Sequence, residues 1–210
     1  MSETGAGAGA LVVGVTGHRD LRQEDTDLLA DAVAKALSFL RRRYPGRELR
    51  MLCSLAAGAD LLCADAAKHL AVPLLAALPL PLTDYEADFS PEDRLRLLAH
   101  CRRAEAVFPA PPIEEPPAEP GQDFFYRQAG IYVAEHCRLL LALWDGGPGK
   151  PTGCGTAEAV SFMLEGAYSP REGAALRKTE PGAVIWIRAP RAGAPGKAGE
   201  RTILGTLPIL

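Results

Sequence analysis

The chain has 210 residues, 48% of them apolar and 23% charged, a balance that excludes a wholly disordered polypeptide and a length that fits about one domain. Its 23 Lys and Arg against 26 Asp and Glu leave a formal charge of −3, so there is no electrostatic surplus for non-specific binding of nucleic acid, which is not an expected partner. The longest apolar run, residues 70–82, has 13 residues interrupted by three prolines, and it is too short and too broken to span a bilayer.

Residues 1–10 (MSETGAGAGA) lack a basic region and an apolar core, so they read as a flexible leader and not as a signal peptide. Cys53, Cys63, Cys101, Cys137 and Cys154 are odd in number and show no metal-ligand spacing. Neither disulfides nor a metal site is expected, and a cytoplasmic location fits free thiols. All but Cys154 sit in apolar segments where a thiol packs as a small hydrophobe.

Residues 11–15 (LVVGV) form a β-branched run that predicts a buried strand, followed by the loop Thr16-Gly17-His18-Arg19-Asp20. Asp25 or Thr26 then caps a helix whose apolar positions Leu28, Leu29, Val33, Ala36, Leu37 and Leu40 recur at helical spacing, until Tyr44-Pro45-Gly46 stops it. The pattern repeats with a strand over residues 49–55, the turn Ala56-Ala57-Gly58-Ala59-Asp60, a helix over 61–70 and a third strand from 72 to 79. Ser90-Pro91-Glu92-Asp93 combines an N-cap serine, proline at the first helical position and an acid at the third, and it opens a helix through Arg103. A short strand follows at 106–108. Residues 109–120 hold six prolines and three glutamates and read as an irregular surface loop. A helix over 124–137, a strand over 139–144, a helix over 155–166 and a sixth strand over 183–187 complete the order.

Alternating strands and helices, with strands apolar at every position, predict an α/β fold: Rossmann-like, doubly wound, with a mainly parallel sheet of about six strands and helices on both faces. Residues 11–188 form that domain, and residues 189–210 are read as a flexible C-terminal segment leading to a partner or to further chain. Ligands in such folds bind beyond the carboxyl ends of strands, which directs attention to three glycine-bearing turns.

In the turn Gly153-Cys154-Gly155-Thr156, backbone amides and a helix dipole would face a phosphate or carboxylate; alternatively the glycines serve only the turn. Glu158 falls in the first helical turn, where it also offsets the dipole. Arg19 follows a strand end and could clamp phosphate oxygens or stand on the surface. His18 could donate to a phosphate or ribose, or cap its own loop. Asp60 could accept from ribose hydroxyls or cap the helix from Leu61. Arg127 near a helix start opposes the dipole, a local conflict of the kind found at functional sites. Cys154 would have a lowered pKa there, but no base stands near it in sequence.

The run from Tyr126-Arg127-Gln128-Ala129 through the strand at 139–144 to Gly153-Cys154-Gly155-Thr156-Ala157-Glu158 resembles the LOG family of cytokinin-nucleotide phosphoribohydrolases. Arg127 matches that family's arginine, Gly153 and Gly155 two loop glycines, and Thr156 the threonine. Gln128 replaces the family's lysine, residues 146–152 are an insertion, and Ala159 stands where the family carries its catalytic acid, Glu158 matching an earlier one. These departures count against hydrolysis and leave the phosphate cradle intact. Thr16-Gly17-His18-Arg19 and Ala56-Ala57-Gly58-Ala59-Asp60 resemble the wider SLOG superfamily, which joins LOG enzymes, DprA, YpsA-like proteins and the N-terminal domains of TRPM channels. The stretch at 79–89, with Tyr85, Asp88 and Phe89, resembles the linker after strand three in YpsA-like members.

The resemblance implies a domain that binds a nucleotide or nucleotide-derived small molecule, the ligand-sensing part of a larger signalling or defence system, with no cofactor. It also implies a homodimer or higher oligomer. Its ligand groups would be Thr16, Gly17, His18, Arg19, Gly58, Ala59, Asp60, Gly153, Cys154, Gly155 and Thr156. The alternative is a LOG-like N-glycosidase acting on nucleoside monophosphates, with Arg127 and Glu158 catalytic.

Overall fold

A computed structural model describes residues 9–149, 155–165 and 181–208. Its strands are β1 (Leu11–Gly17), β2 (Leu49–Cys53), β3 (Leu74–Leu78), β4 (Ala106–Pro109), β5 (Leu139–Trp144), β6 (Ala183–Arg188) and β7 (Arg201–Leu204). Its helices are α1 (Thr26–Arg43), α2 (Ala59–His69), α3 (Leu82–Tyr85), α4 (Pro91–Arg103), α5 (Gln122–Glu135) and α6 (Thr156–Glu165). The sheet order is β4-β3-β2-β1-β5-β6-β7, parallel throughout except for the antiparallel pair β6–β7.

The expected doubly wound α/β sheet is therefore present, with seven strands. The seventh, β7, lies where the sequence reading placed only an irregular tail. It pairs Val184 with Leu204 and Ile187 with Arg201. Its four residues are too few and too exposed to show a strand pattern, and the ladder to β6 with the packing of Leu204 on the apolar cluster orders it.

Successive residues of the central strands feed opposite faces of the sheet, as the two-residue period of a strand requires. Leu139, Leu141 and Leu143 join α1, α2 and α4 in one apolar cluster, while Leu140 and Ala142 join α5 and α6 in another. Covering on both faces explains why β5 is apolar at every position.

Helix starts follow the sequence to within two residues, except for the short α3, which falls in the stretch at 79–89 where no helix was expected. Ser90 Oγ accepts from the Asp93 amide at 3.2 Å and Pro91 begins α4, as the motif predicts. Asp25 stands at the N-cap of α1 but makes no capping bond, because Arg22 Nε donates to its carboxylate at 2.6 Å instead. Helix α2 begins at Ala59, two residues before the expected start, so Asp60 lies inside its first turn and is not its cap.

Among the described residues no helix is long and apolar enough to cross a membrane. The chain leaves β4 at one edge and re-enters the sheet as β5 beside β1, so the strand order reverses between β1 and β5. A crevice opens beyond their carboxyl ends at such a reversal.

Candidate functional site

A cleft of about 560 Å³ occupies that position, walled by the segments after β1, β2, β3 and β5 together with α5 and the start of α6. Its floor is set by close backbone contact between loops. The Ala59 amide donates to the His18 carbonyl at 3.0 Å, and the His18 amide donates to the Leu143 carbonyl at 3.1 Å. Glycine makes this approach possible at two places. A Cβ on Gly17 would stand 2.3 Å from Ala59 Cβ, and one on Gly58, whose φ is +77°, would stand 2.4 Å from the Arg19 carbonyl oxygen. Leu55, at the exit of β2, is buried and holds a φ of +57°, a strained conformation for a branched residue.

Of the ligand-binding residues expected from sequence, Thr16, Gly17, His18, Arg19, Asp60, Gly155 and Thr156 line the cleft. Gly58 and Ala59 instead support its floor from behind. Gly153 and Cys154 lie outside the described residues.

His18 is buried, and its Nε2 stands 3.1 Å from both the backbone N and Oδ1 of Asp145. It accepts from the amide in one neutral tautomer, or donates to the carboxylate in the other and when protonated. Burial lowers its pKa against the opposing pull of Asp145. Burial likewise opposes ionisation of Asp145, but the Gly147 amide, His18 and Arg191 outweigh it and hold that carboxyl below its usual range. Arg191 lies 3.5 Å from Asp145 and 2.7 Å from Asp20, so a side chain from the segment after β6 closes one side of the cleft.

Arg19 sits over the Tyr126 ring, its guanidinium carbon 4.8 Å from the centroid, and no carboxylate pairs with it among the described residues. Asp60 accepts from the Ala56 amide at 3.2 Å. Burial pushes the Asp60 carboxyl up to about 6, against the restraining effect of the Ala56 amide, Cys53, Arg19 and the Ser54 amide. Tyr85, from α3, is fully buried against Phe89 and Tyr126, lines the cleft, and its hydroxyl has no hydrogen-bond partner among the described residues.

Arg127 and Glu158, far apart in sequence, do meet: Nε and Oε1 are 3.7 Å apart. Helix α5 begins at Gln122, two residues before the expected start, which makes Arg127 its sixth residue, past the first turn, so the dipole conflict expected there is weak. It is buried, and it also donates to Glu114 from the proline-rich loop. Gln128 anchors that loop by accepting from the Ile113 amide at 2.8 Å and the Glu114 amide at 3.0 Å while donating to the Glu114 carboxylate. Sequence reasoning missed Glu114, Tyr126, Trp144, Asp145 and Arg191 as neighbours of the site. The acidic Pro-rich loop was visible, but nothing local says which of its three glutamates turns inward.

Fold and site together define a doubly wound α/β protein with a mixed-charge cleft at the carboxyl ends of its central strands. No family model matches the chain, and no curated protein matches it. Among solved structures it is similar to the X-ray structure of DNA processing protein A (DprA) from Streptococcus pneumoniae, with a TM-score of 0.42 and 18% identity. The match covers 63% of this chain and 41% of that one, so the chain spans less than half the length of that protein.

Proposed function

We propose that this chain is a SLOG-type binding domain for a nucleotide or nucleotide-derived ligand, which lies in the cleft at the β1–β5 reversal. The observation that carries this reading is the placing of Arg19, a cation without a carboxylate partner among the described residues, in the same cleft as the N-terminus of α6. Oriented amides and a guanidinium together suit a phosphate. The other two cleft arginines are already answered by carboxylates, Arg127 by Glu114 and Glu158 and Arg191 by Asp20 and Asp145. Such a cleft favours a ligand of low total charge over a polyanion.

The second reading is a phosphoribohydrolase, and the Arg127–Glu158 pair favours it. Against it, Ala157 and Ala159 line the cleft while Glu158 between them does not, and Arg127 is shared with Glu114. Binding without turnover is the better supported function.

A thermal-shift screen of the whole chain over mono-, di- and cyclic nucleotides tests the binding reading. A ligand at 100 times its dissociation constant adds about 2.7 kcal/mol of stability. No shift with any nucleotide would remove the proposal. Release of free base and ribose 5-phosphate from a nucleoside monophosphate, lost in Glu158→Ala, would establish the enzyme instead.

A further inference from the structure

The proposed phosphate groups leave two neighbours of Arg19 unexplained. Beyond β2 and β3 stand Asp60 and Tyr85, both buried and both lining the cleft. The charged groups that act on the Tyr85 hydroxyl are Asp60, Arg19 and Asp88, with Cys53 also close. Tyr85 is nonetheless left without a hydrogen-bond partner among the described residues. A buried hydroxyl in that condition is uncommon and calls for a physical reason. Packing does not supply one, because phenylalanine would fill the same space between Phe89 and Tyr126.

The donor and acceptor inventory narrows the partner. An ionised Asp60 can only accept, and its Oδ2 already takes the Ala56 amide. The Tyr85 hydroxyl is free to donate. A ligand phosphate would be repelled by Asp60, and so would a carbonyl oxygen, since neither can donate to it. An alcohol oxygen meets both demands, donating to the carboxylate while accepting from the phenol.

We propose that Asp60 and Tyr85 form a hydroxyl-recognising subsite that takes one hydroxyl of a ligand sugar, with Tyr85 donating to it and Asp60 accepting from it. The proposal rests on the nucleotide-binding reading and specifies that the ligand is a ribo compound, selected over its deoxy counterpart. Both groups are buried, so a missing hydroxyl would leave the Tyr85 hydroxyl unpaired and the Asp60 carboxylate short of a donor on the cleft side. That is the arrangement by which buried polar groups discriminate best.

The test measures binding of the four common ribonucleoside 5′-monophosphates, and of their 2′-deoxy and 3′-deoxy forms, to the full chain and to Tyr85→Phe and Asp60→Asn. The expected result is wild-type binding of at least one ribonucleotide about tenfold or more tighter than one of its deoxy forms. Tyr85→Phe loses that discrimination, weakens the ribo form to the deoxy level and leaves the unliganded melting temperature within about 2 °C, because the hydroxyl it removes has no partner among the described residues. Asp60→Asn shows the same selective loss. Wild-type binding without ribo preference, or a Tyr85→Phe loss that is equal for ribo and deoxy forms, overturns the subsite while leaving the nucleotide reading in place. Absence of binding of any of these nucleotides by the wild-type chain overturns the subsite, and absence of a shift across the mono-, di- and cyclic nucleotides overturns the nucleotide reading as well.

Discussion

The Ala59 amide donates to the His18 carbonyl at 3.0 Å, which ties the loop after β2 to the loop after β1 and makes the two a single unit. Gly58 is the residue that permits this. Its φ of +77° and ψ of −116° suit glycine alone, and any Cβ there would press into both the His18 and Arg19 carbonyls. Gly58→Ala should therefore cost about 2 kcal/mol or more, through strain and through separation of the loops. Urea unfolding checks the stability, and the nucleotide thermal shift should be lost in the same variant.

Asp60 is held in a state that opposes folding at neutral pH. Its carboxyl titrates at about 6 in the fold against an ordinary 3.8, chiefly because burial disfavours the charge. The folded chain thus binds this proton more tightly than the unfolded one does. The associated stability is complete below the unfolded value and is lost as pH rises through about 6. Asp60→Asn, which keeps an acceptor for the Ala56 amide, should raise stability at pH 7 by an amount on the order of 3 kcal/mol and flatten the pH dependence in that window. Chemical denaturation of both forms across the window decides it. A variant that gains stability and loses ligand would mark Asp60 as a group kept for function.

A second carboxylate behaves in the opposite sense. Asp65 on α2 meets His100 Nε2 and an Arg96 N–H, each at 2.7 Å. Burial alone would raise its pKa, but these partners outweigh it and hold the carboxyl down at about 2. Its contribution is therefore present above its ordinary 3.8 and is lost as pH falls toward about 2. Because Asp65 is half exposed, the contribution is discounted to about 1 kcal/mol. Asp65→Ala should cost about that much at pH 7 and nothing further at pH 2, as measured by thermal melts at the two values.

Glu114 should matter more for stability than its place in an irregular loop suggests. It neutralises the buried Arg127 and accepts from Gln128. Glu114→Ala removes one of the carboxylates that meet, among the described residues, a guanidinium only 8% exposed. The expected cost is about 2 kcal/mol, below that of a fully isolated buried charge because Glu158 remains. Guanidinium unfolding measures it. Limited proteolysis should then cleave sooner within residues 109–120.

The sequence by itself determined the succession of β1 to β6 with α1, α2, α4, α5 and α6, because hydrophobic period, N-cap serine and turn glycines act over a few residues and are written where they act. It also marked which loops end at the cleft, since strand-to-helix turns of a parallel sheet gather on one edge. Tertiary structure decided the partners. Asp20 meets Arg191 across 171 residues, Asp60 comes near Tyr85 only because β2 pairs with β3, and Arg127 is shared between Glu114 and Glu158 from two other segments. Likewise, β7 is a strand only because β6 offers it an edge. The physical reason is the same in each case: a local pattern specifies the shape of a segment, but pairing of charges and ladders depends on which segments the sheet order brings together.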